Sequence, residues 1–210
     1  MTNKHLAEQV PQLYERHALD WDGDRNGGTW IDKGWHDRFI QCLPAGATVL
    51  DLGCGSGRPV ASHLVQQGMR VTGVDTSPTL IALCRTRLPE QEWLVADMRT
   101  LALERRFQGI LAWDSFFFLT AEDQRHMFAV FAAHATPSAF LMFTTGPTFG
   151  EAIGEYRGDP LYHASLDPAE YQTLLEHYGF AVVEHVVEDP TAGKRTVWLA
   201  QSLTQAEKRT

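Results

Sequence analysis

Three cysteines, at 42, 54 and 84, are all that a chain of 210 residues contains. They are odd in number and widely spaced. That excludes a disulfide framework and the paired ligand spacing of a structural zinc site, and it fits a reducing cytoplasm. No run approaches the ~18 consecutive apolar residues of a membrane span. The opening "MTNKHLAEQVPQLYERH" lacks the apolar block of a secretory signal. Positive charge is also scarce. With 18 Lys and Arg against 26 Asp and Glu, the formal net charge is -8. Without a dense basic patch, a nucleic-acid backbone is not the expected partner. The nine histidines are scattered, with no spacing that marks a metal site.

What is present is an alternation of strands and helices. "ATVLDLG" (47–53) reads as a buried strand ended by glycine. "RPVASHLVQQG" (58–68) reads as a helix with proline in its first turn and glycine at its end. "MRVTGVD" (69–75) is a second strand, and Ser77-Pro78 caps and opens a second helix. Strands follow at 91–97, 107–113 and 138–145, with a helix over 121–135. Asp167-Pro168 opens a helix ending at Gly179, and two β-rich runs (180–188 and 195–202) form a closing antiparallel pair. The pattern predicts a single α/β domain, Rossmann-like and doubly wound, over 45–204. Residues 1–44 are expected to form a helical cap or lid of one or two helices around a mobile Gly-rich stretch at 20–30. Residues 146–166 are expected to be a long irregular substrate loop.

"VLDLGCGSGRP" (49–59) carries three glycines on alternate positions. Glycine lacks a Cβ and tolerates positive φ, so such a turn lets a ligand approach backbone N–H groups at a helix start. Asp51, Asp75 and Asp97 each end a strand, and in an open parallel sheet those ends share one edge with the glycine loop. A dinucleotide fingerprint needs a third glycine that this chain lacks, since Arg58 and Val60 occupy the two possible positions. A carboxylate at Asp51 also suits an ammonium better than a pyrophosphate.

Taken together, "VLDLGCGSG", "VTGVDTSPTLI" and "VADM" resemble the class I S-adenosylmethionine-dependent methyltransferases. The likeness is motif-specific over about 47–98 and weak over 1–44. It implies a seven-stranded sheet, mostly parallel with an antiparallel last strand, and S-adenosyl-L-methionine as cofactor. It further implies that Gly53, Cys54, Gly55 and Gly57 line the methionine and ribose portion, with Asp51 near the amino end. Asp75 would accept from the ribose hydroxyls, with Thr76 beside it in place of the usual apolar residue. Asp97 and Met98 would hold the adenine. Trp113 is a further cofactor candidate, and Tyr14, Trp21 and Arg25 are candidates for closing over the methionine end.

For the acceptor, Ser115 and Phe117 in "AWDSFFFLT" and Arg157 and Tyr162 in the 146–166 loop are the candidates, with His163 and Tyr156 as candidate catalytic groups. Core packing for the three phenylalanines, a surface role for His163 and a local ion pair of Arg157 with Glu155 or Asp159 are the plainer readings. The expected function is methyl transfer to a small molecule by a cytoplasmic monomer or homodimer, with no membrane or nucleic-acid partner. A nicotinamide-dependent oxidoreductase and a cofactor-binding sensor without turnover are the alternatives.

Overall fold

The computed structural model describes residues 3–204; residues 1 and 2 of the expected cap lie outside them. Nine strands and seven α-helices follow one another among the described residues. Strand β1 (Thr48–Leu52) leads through α4 (Val60–Gln66) to β2 (Arg70–Asp75), then through α5 (Pro78–Arg87) to β3 (Glu92–Val95). Strand β4 (Phe107–Ala112), α6 (Ala121–His134) and β5 (Ala135–Thr145) come next, and α7 (Pro168–His177) precedes β8 (Phe180–Asp189) and β9 (Arg195–Ser202). The main sheet has the order β3-β2-β1-β4-β5-β9-β8. Its strands run parallel except β9, which lies antiparallel between β5 and β8. This is the seven-stranded architecture that the family resemblance implies.

Both faces of the sheet are covered, so the central strands are apolar on both sides. Leu50, Leu52, Ile110, Phe128 and Phe143 belong to a core on one face, and Val49, Val71, Leu111, Leu64 and Phe39 to a core on the other. Ser77 and Asp167 cap their helices as expected, and Thr120 caps α6 as well. Ser77 Oγ accepts from Leu80 N at 3.1 Å, Thr120 Oγ1 from Asp123 N at 3.1 Å, and Asp167 Oδ1 from Ala169 N at 2.9 Å. Each such cap supplies ~1 kcal/mol and fixes where a strand-to-helix connection turns.

The N-terminal segment departs from expectation. It forms three helices, α1 (Asn3–Arg16), α2 (Ala18–Asn26) and α3 (Lys33–Gln41). Most of the stretch expected to be mobile is therefore helical. Long-range bonds hold it: Arg87 reaches both oxygens of Asp22 at 2.6 Å, and its guanidinium also donates to Ser56 O at 3.2 Å. Helix α1 is tied to the start of α5 by Glu15, which accepts from Ser77 Oγ, from Thr79 N and from Thr79 Oγ1. No described helix is long and apolar enough to cross a membrane.

The segment 146–166 is also more ordered than its composition suggests. It folds as a hairpin, β6 (Gly150–Tyr156) and β7 (Asp159–Ser165), forming a separate two-stranded sheet. The turn is Arg157-Gly158, with φ of 54° and 86°, the positive pair that matches strand twist in a two-residue hairpin. Strand β7 buries Leu161, Tyr162 and Ala164 against Ala7, Val10 and Leu13 of α1. Each larger apolar side chain covered there contributes ~1.5–3 kcal/mol, enough to hold a hairpin that could not stand alone.

Candidate functional site

The carboxyl ends of β1, β2 and β4 open into a cleft of ≈ 810 Å³, measured with its solvent-facing mouth. Its floor is the turn after β1. Gly53 and Gly55 have φ of 76° and 55°, and neither has room for a side chain. A Cβ on Gly53 would stand 2.3 Å from Ser115 Cβ, and one on Gly55 would stand 2.5 Å from the Trp21 indole. The glycines therefore let bare peptide face the cleft while Ser115 and Trp21 close in from either side.

Asp75, at the end of β2, braces this turn. Its Oδ2 accepts from Gly55 N and its Oδ1 from Ser77 N, both at 2.9 Å. One carboxylate thus fixes the glycine loop and the entrance to α5. Burial raises its pKa above the ordinary value, against the pull of those N–H donors. Asp51 lies deeper, 3% exposed, with Oδ2 buried and without a hydrogen-bond partner. Burial, with a smaller contribution from the charge of Asp75, pushes its pKa up to about 7. An unpartnered buried carboxylate oxygen is costly; Asp51 lies next to the glycine loop but is not among the residues that line the cleft.

Asp97, Met98 and Thr76 also line the cleft. Asp97 differs from a free acceptor in one respect. Arg99, two residues on, grips it through Nη2 at 2.6 Å and Nε at 3.0 Å, and its own backbone N–H donates to Asp97 Oδ1 at 2.9 Å. Burial alone would raise the Asp97 pKa; these bonds outweigh it and hold it low. Arg99 also reaches Asp123 at 3.3 Å. It is a cleft residue that the sequence pattern does not single out, because nothing in "ADMRT" marks an arginine that folds back on the preceding acid.

Tyr14 of α1 faces the same space, its ring centroid 6.1 Å from that of Trp21 and 5.3 Å from that of Phe118. Burial first, then the charge of Asp114, raises its pKa well above the usual phenol value, so it stays a neutral hydroxyl. Ser115 lines the cleft with its Oγ donating to Leu52 O at 2.6 Å. Asp114, beside it, has φ of 52° and is held by Arg195, whose Nε and Nη2 each donate to one carboxylate oxygen at 2.6 Å.

Other candidates lie elsewhere. Cys54 and Gly57 belong to the loop but turn away from the cleft. The Cys54 thiol is buried in the core on the α5 side, and a Cβ on Gly57 would meet Cys84 Sγ at 3.3 Å. Trp113 is 5% exposed, donates its Nε1–H to Asp32 at 2.6 Å and packs on His36, behind the cleft wall. Arg25 pairs with the same Asp32 at 3.0 Å rather than reaching a ligand position.

In the FFF run, Phe118 rather than Phe117 lines the cleft; Phe117 stacks on His163 at 5.5 Å between centroids. The 3-10 turn over Phe116–Phe118 sends the three rings in different directions, with Phe116 fully buried. The hairpin residues stand outside the cleft. Tyr162 is fully buried and donates to Glu151 at 2.7 Å, and Tyr156 donates to Asp24 at 2.9 Å. Arg157 is exposed at the turn, bonded to Asp24 at 2.9 Å rather than to Glu155 or Asp159. His163 is half-buried, its Nδ1 3.1 Å from Leu161 O, and burial lowers its pKa.

Comparison with known proteins bears on this geometry. Residues 49–138 match the model of a methyltransferase domain family. A trans-aconitate 2-methyltransferase from Azoarcus sp. is 45% identical over 62 residues, 29% of this chain and 24% of that protein. The protein of the same name from Escherichia coli is 40% identical over 65 residues, 30% of this chain and 26% of that one. The match thus spans about a quarter of the length of these curated relatives. Among solved structures, magnesium protoporphyrin IX methyltransferase from Synechocystis with bound SAM superposes with a TM-score of 0.72 at 16% identity, over 94% of this chain and 97% of that one. An amino pentose methyltransferase from Micromonospora echinaspora, also SAM-bound, gives 0.67 at 20% identity, over 87% and 95%. These two likenesses establish the fold.

Proposed function

We propose that this chain is a class I S-adenosylmethionine-dependent methyltransferase, whose cleft binds S-adenosylmethionine and directs the methyl group to a small-molecule acceptor. The observation that carries the reading is the joint placement of Asp75 and Gly55. A strand-end carboxylate hydrogen-bonds a side-chain-free turn at the floor of a cleft open at the carboxyl ends of the strands. The unpartnered oxygen of Asp51, buried next to the glycine loop, would meet the cofactor's ammonium group through water rather than directly.

In this reading Gly53 and Gly55 present their backbone to the methionine and ribose portion. Asp75 has acceptor capacity left for ribose hydroxyls after its two N–H bonds. Thr76, Asp97 and Met98 border the adenine, with Asp97 pre-aligned by Arg99. The cofactor, when bound, supplies an electrophilic methyl group with a good leaving group already in place. The protein's part is then to align and dry the acceptor, which can be worth several kcal/mol. Tyr14, Trp21 and Phe118 form the apolar wall that excludes water. The N-terminal helices act as the cap over the 45–204 domain, pinned there by Glu15 and Asp22.

Three free thiols and an acidic chain support a cytoplasmic protein without a nucleic-acid partner, working as a monomer or homodimer. Isothermal titration tests the reading: micromolar-range binding of S-adenosylmethionine is expected, and Asp75→Ala should weaken it by about 30-fold or more. Unchanged affinity in that variant, or tighter competition by NAD than by S-adenosylhomocysteine, would overturn it.

A further inference from the structure

The walls of the cleft are unequal in charge. Four carboxylates line it, Asp75, Asp97, Asp114 and Asp123, against one guanidinium, Arg99. That guanidinium is already committed to Asp97 and Asp123. No other Lys, Arg or His among the described residues lines the cleft. Arg195 and Arg25 approach Asp114, at 2.6 Å and 3.9 Å, without themselves lining it.

The four carboxylates have separate duties. Asp75 braces the glycine loop, Asp97 is clasped by Arg99, and Asp123 receives bonds from Arg99 and Thr120 Oγ1. Asp114 alone has neither a loop to brace nor a partner within the cleft. It sits in the left-handed region of backbone space, a conformation a non-glycine residue keeps only when its surroundings hold it. Here Thr144 Oγ1 accepts its N–H at 2.9 Å, and the bidentate grip of Arg195 fixes the carboxylate. Arg195 uses about half of the acceptor sites a carboxylate offers. Across the same space stand the rings of Tyr14, Trp21 and Phe118, and the Tyr14 hydroxyl has no hydrogen-bond partner among the described residues.

We propose that the methyl acceptor is a small amine with an apolar, ring-sized body, recognised by Asp114 together with the Tyr14 hydroxyl and the aromatic wall, with Arg195 as the residue that positions Asp114. This rests on the cleft being the methyl-transfer site. Aromatic faces and a carboxylate both favour a cation or a strong N–H donor. A carboxylic acid in the same place would be stripped of water against a like charge, with no free cation to meet it.

The test pairs two probes of the same ring and chain, phenethylamine and 3-phenylpropionate, titrated into protein saturated with S-adenosylhomocysteine and into free protein. The amine is expected to bind about ten-fold tighter or better, and the preference to shrink to about three-fold or less in Asp114→Asn. Tyr14→Phe should weaken the amine by about three-fold or more while leaving the acid unaffected. It stands in for the aspartate variant if loss of the Arg195 partner prevents folding. Equal binding, tighter binding of the acid, or binding of neither probe overturns the proposal. Absence of S-adenosylhomocysteine binding overturns the cofactor reading, and this proposal falls with it; S-adenosylhomocysteine binding without an amine preference overturns this proposal alone.

Discussion

The indole of Trp21 rests over Gly55 so closely that a β-carbon on the glycine would lie 2.5 Å from Cη2 of the ring. The wall of the cap and the floor of the cleft are therefore in direct contact. Gly55→Ala must push Trp21 aside and also hold an alanine at a φ of 55°. A stability loss of about 1–3 kcal/mol is expected, with cofactor binding weakened by more than ~10-fold. Gly158 is the control: its φ is also positive, at 86°, but a β-carbon there would meet nothing within 4 Å. Gly158→Ala should cost only the backbone term, about 1 kcal/mol, and leave binding intact. Thermal melts and titration calorimetry on both variants check the contrast.

Asp51 predicts a pH dependence. Its carboxyl has a folded-state pKa of about 7, above the ~3.9 of an unfolded chain. Below pH ~4 both states hold the proton, whereas from there to about 7 only the folded state does. Stability of the free protein should therefore fall as pH rises across that window. Asp51→Asn is expected to be more stable than the parent by about 1–3 kcal/mol at pH 8. Cofactor affinity should move the other way, rising with pH through about 7 in the parent and losing that step in the variant. Denaturant melts and calorimetry between pH 5 and pH 8 read both.

Arg99→Ala should leave the fold intact and release Asp97. The carboxyl, no longer held low, will then take up a proton at a higher pH than in the parent. S-adenosylhomocysteine binding is expected to weaken several-fold, about 3–10, and its acidic limb to shift to higher pH. A titration series from pH 4 to pH 7 measures the shift.

Asp22→Ala breaks the bidentate pair that pins α2 to α5. Both groups are more than four-fifths buried, so a loss of about 1–2 kcal/mol is expected. Trp21 should loosen with it. Faster amide exchange confined to α2 and its neighbours, with quicker release of S-adenosylhomocysteine followed by tryptophan fluorescence, is the expected outcome.

The elements legible in the sequence were those whose signals are local. The glycine loop, the strand-end aspartates and the caps Ser77 and Asp167 all state their conformation within a few residues. Helix α2 was not legible, because "DWDGDRNGG" has the composition of a loop and is made helical by Arg87 and by the seat of Trp21 on Gly55, contacts more than 30 residues away. The hairpin was readable in principle. Arg157-Gly158 is a two-residue turn, but the segments it joins, GEAIGEY and DPLYHAS, do not alternate, and their apolar partners belong to α1 at the far end of the chain. For the same reason residue type alone does not separate Phe117, Tyr156, Arg157, Tyr162 and His163 from residues that reach the cleft. Orientation decided otherwise: in a 3-10 turn one ring of three faces inward, and in a packed hairpin the buried face looks at α1.

Strands β6 and β7 bond to each other and to no strand of the main sheet. Their residues answer to α1, to the Phe117–Phe118 turn through His163 and to Gln124 of α6, and not to the register on which the seven strands depend. A change of shape in this hairpin can thus be passed to the helix carrying Tyr14 without disturbing the glycine turn or its bracing carboxylate. Changes in sequence there can reshape the cleft's aromatic wall while the glycine turn keeps its own bracing, making the hairpin a place where new selectivity can arise.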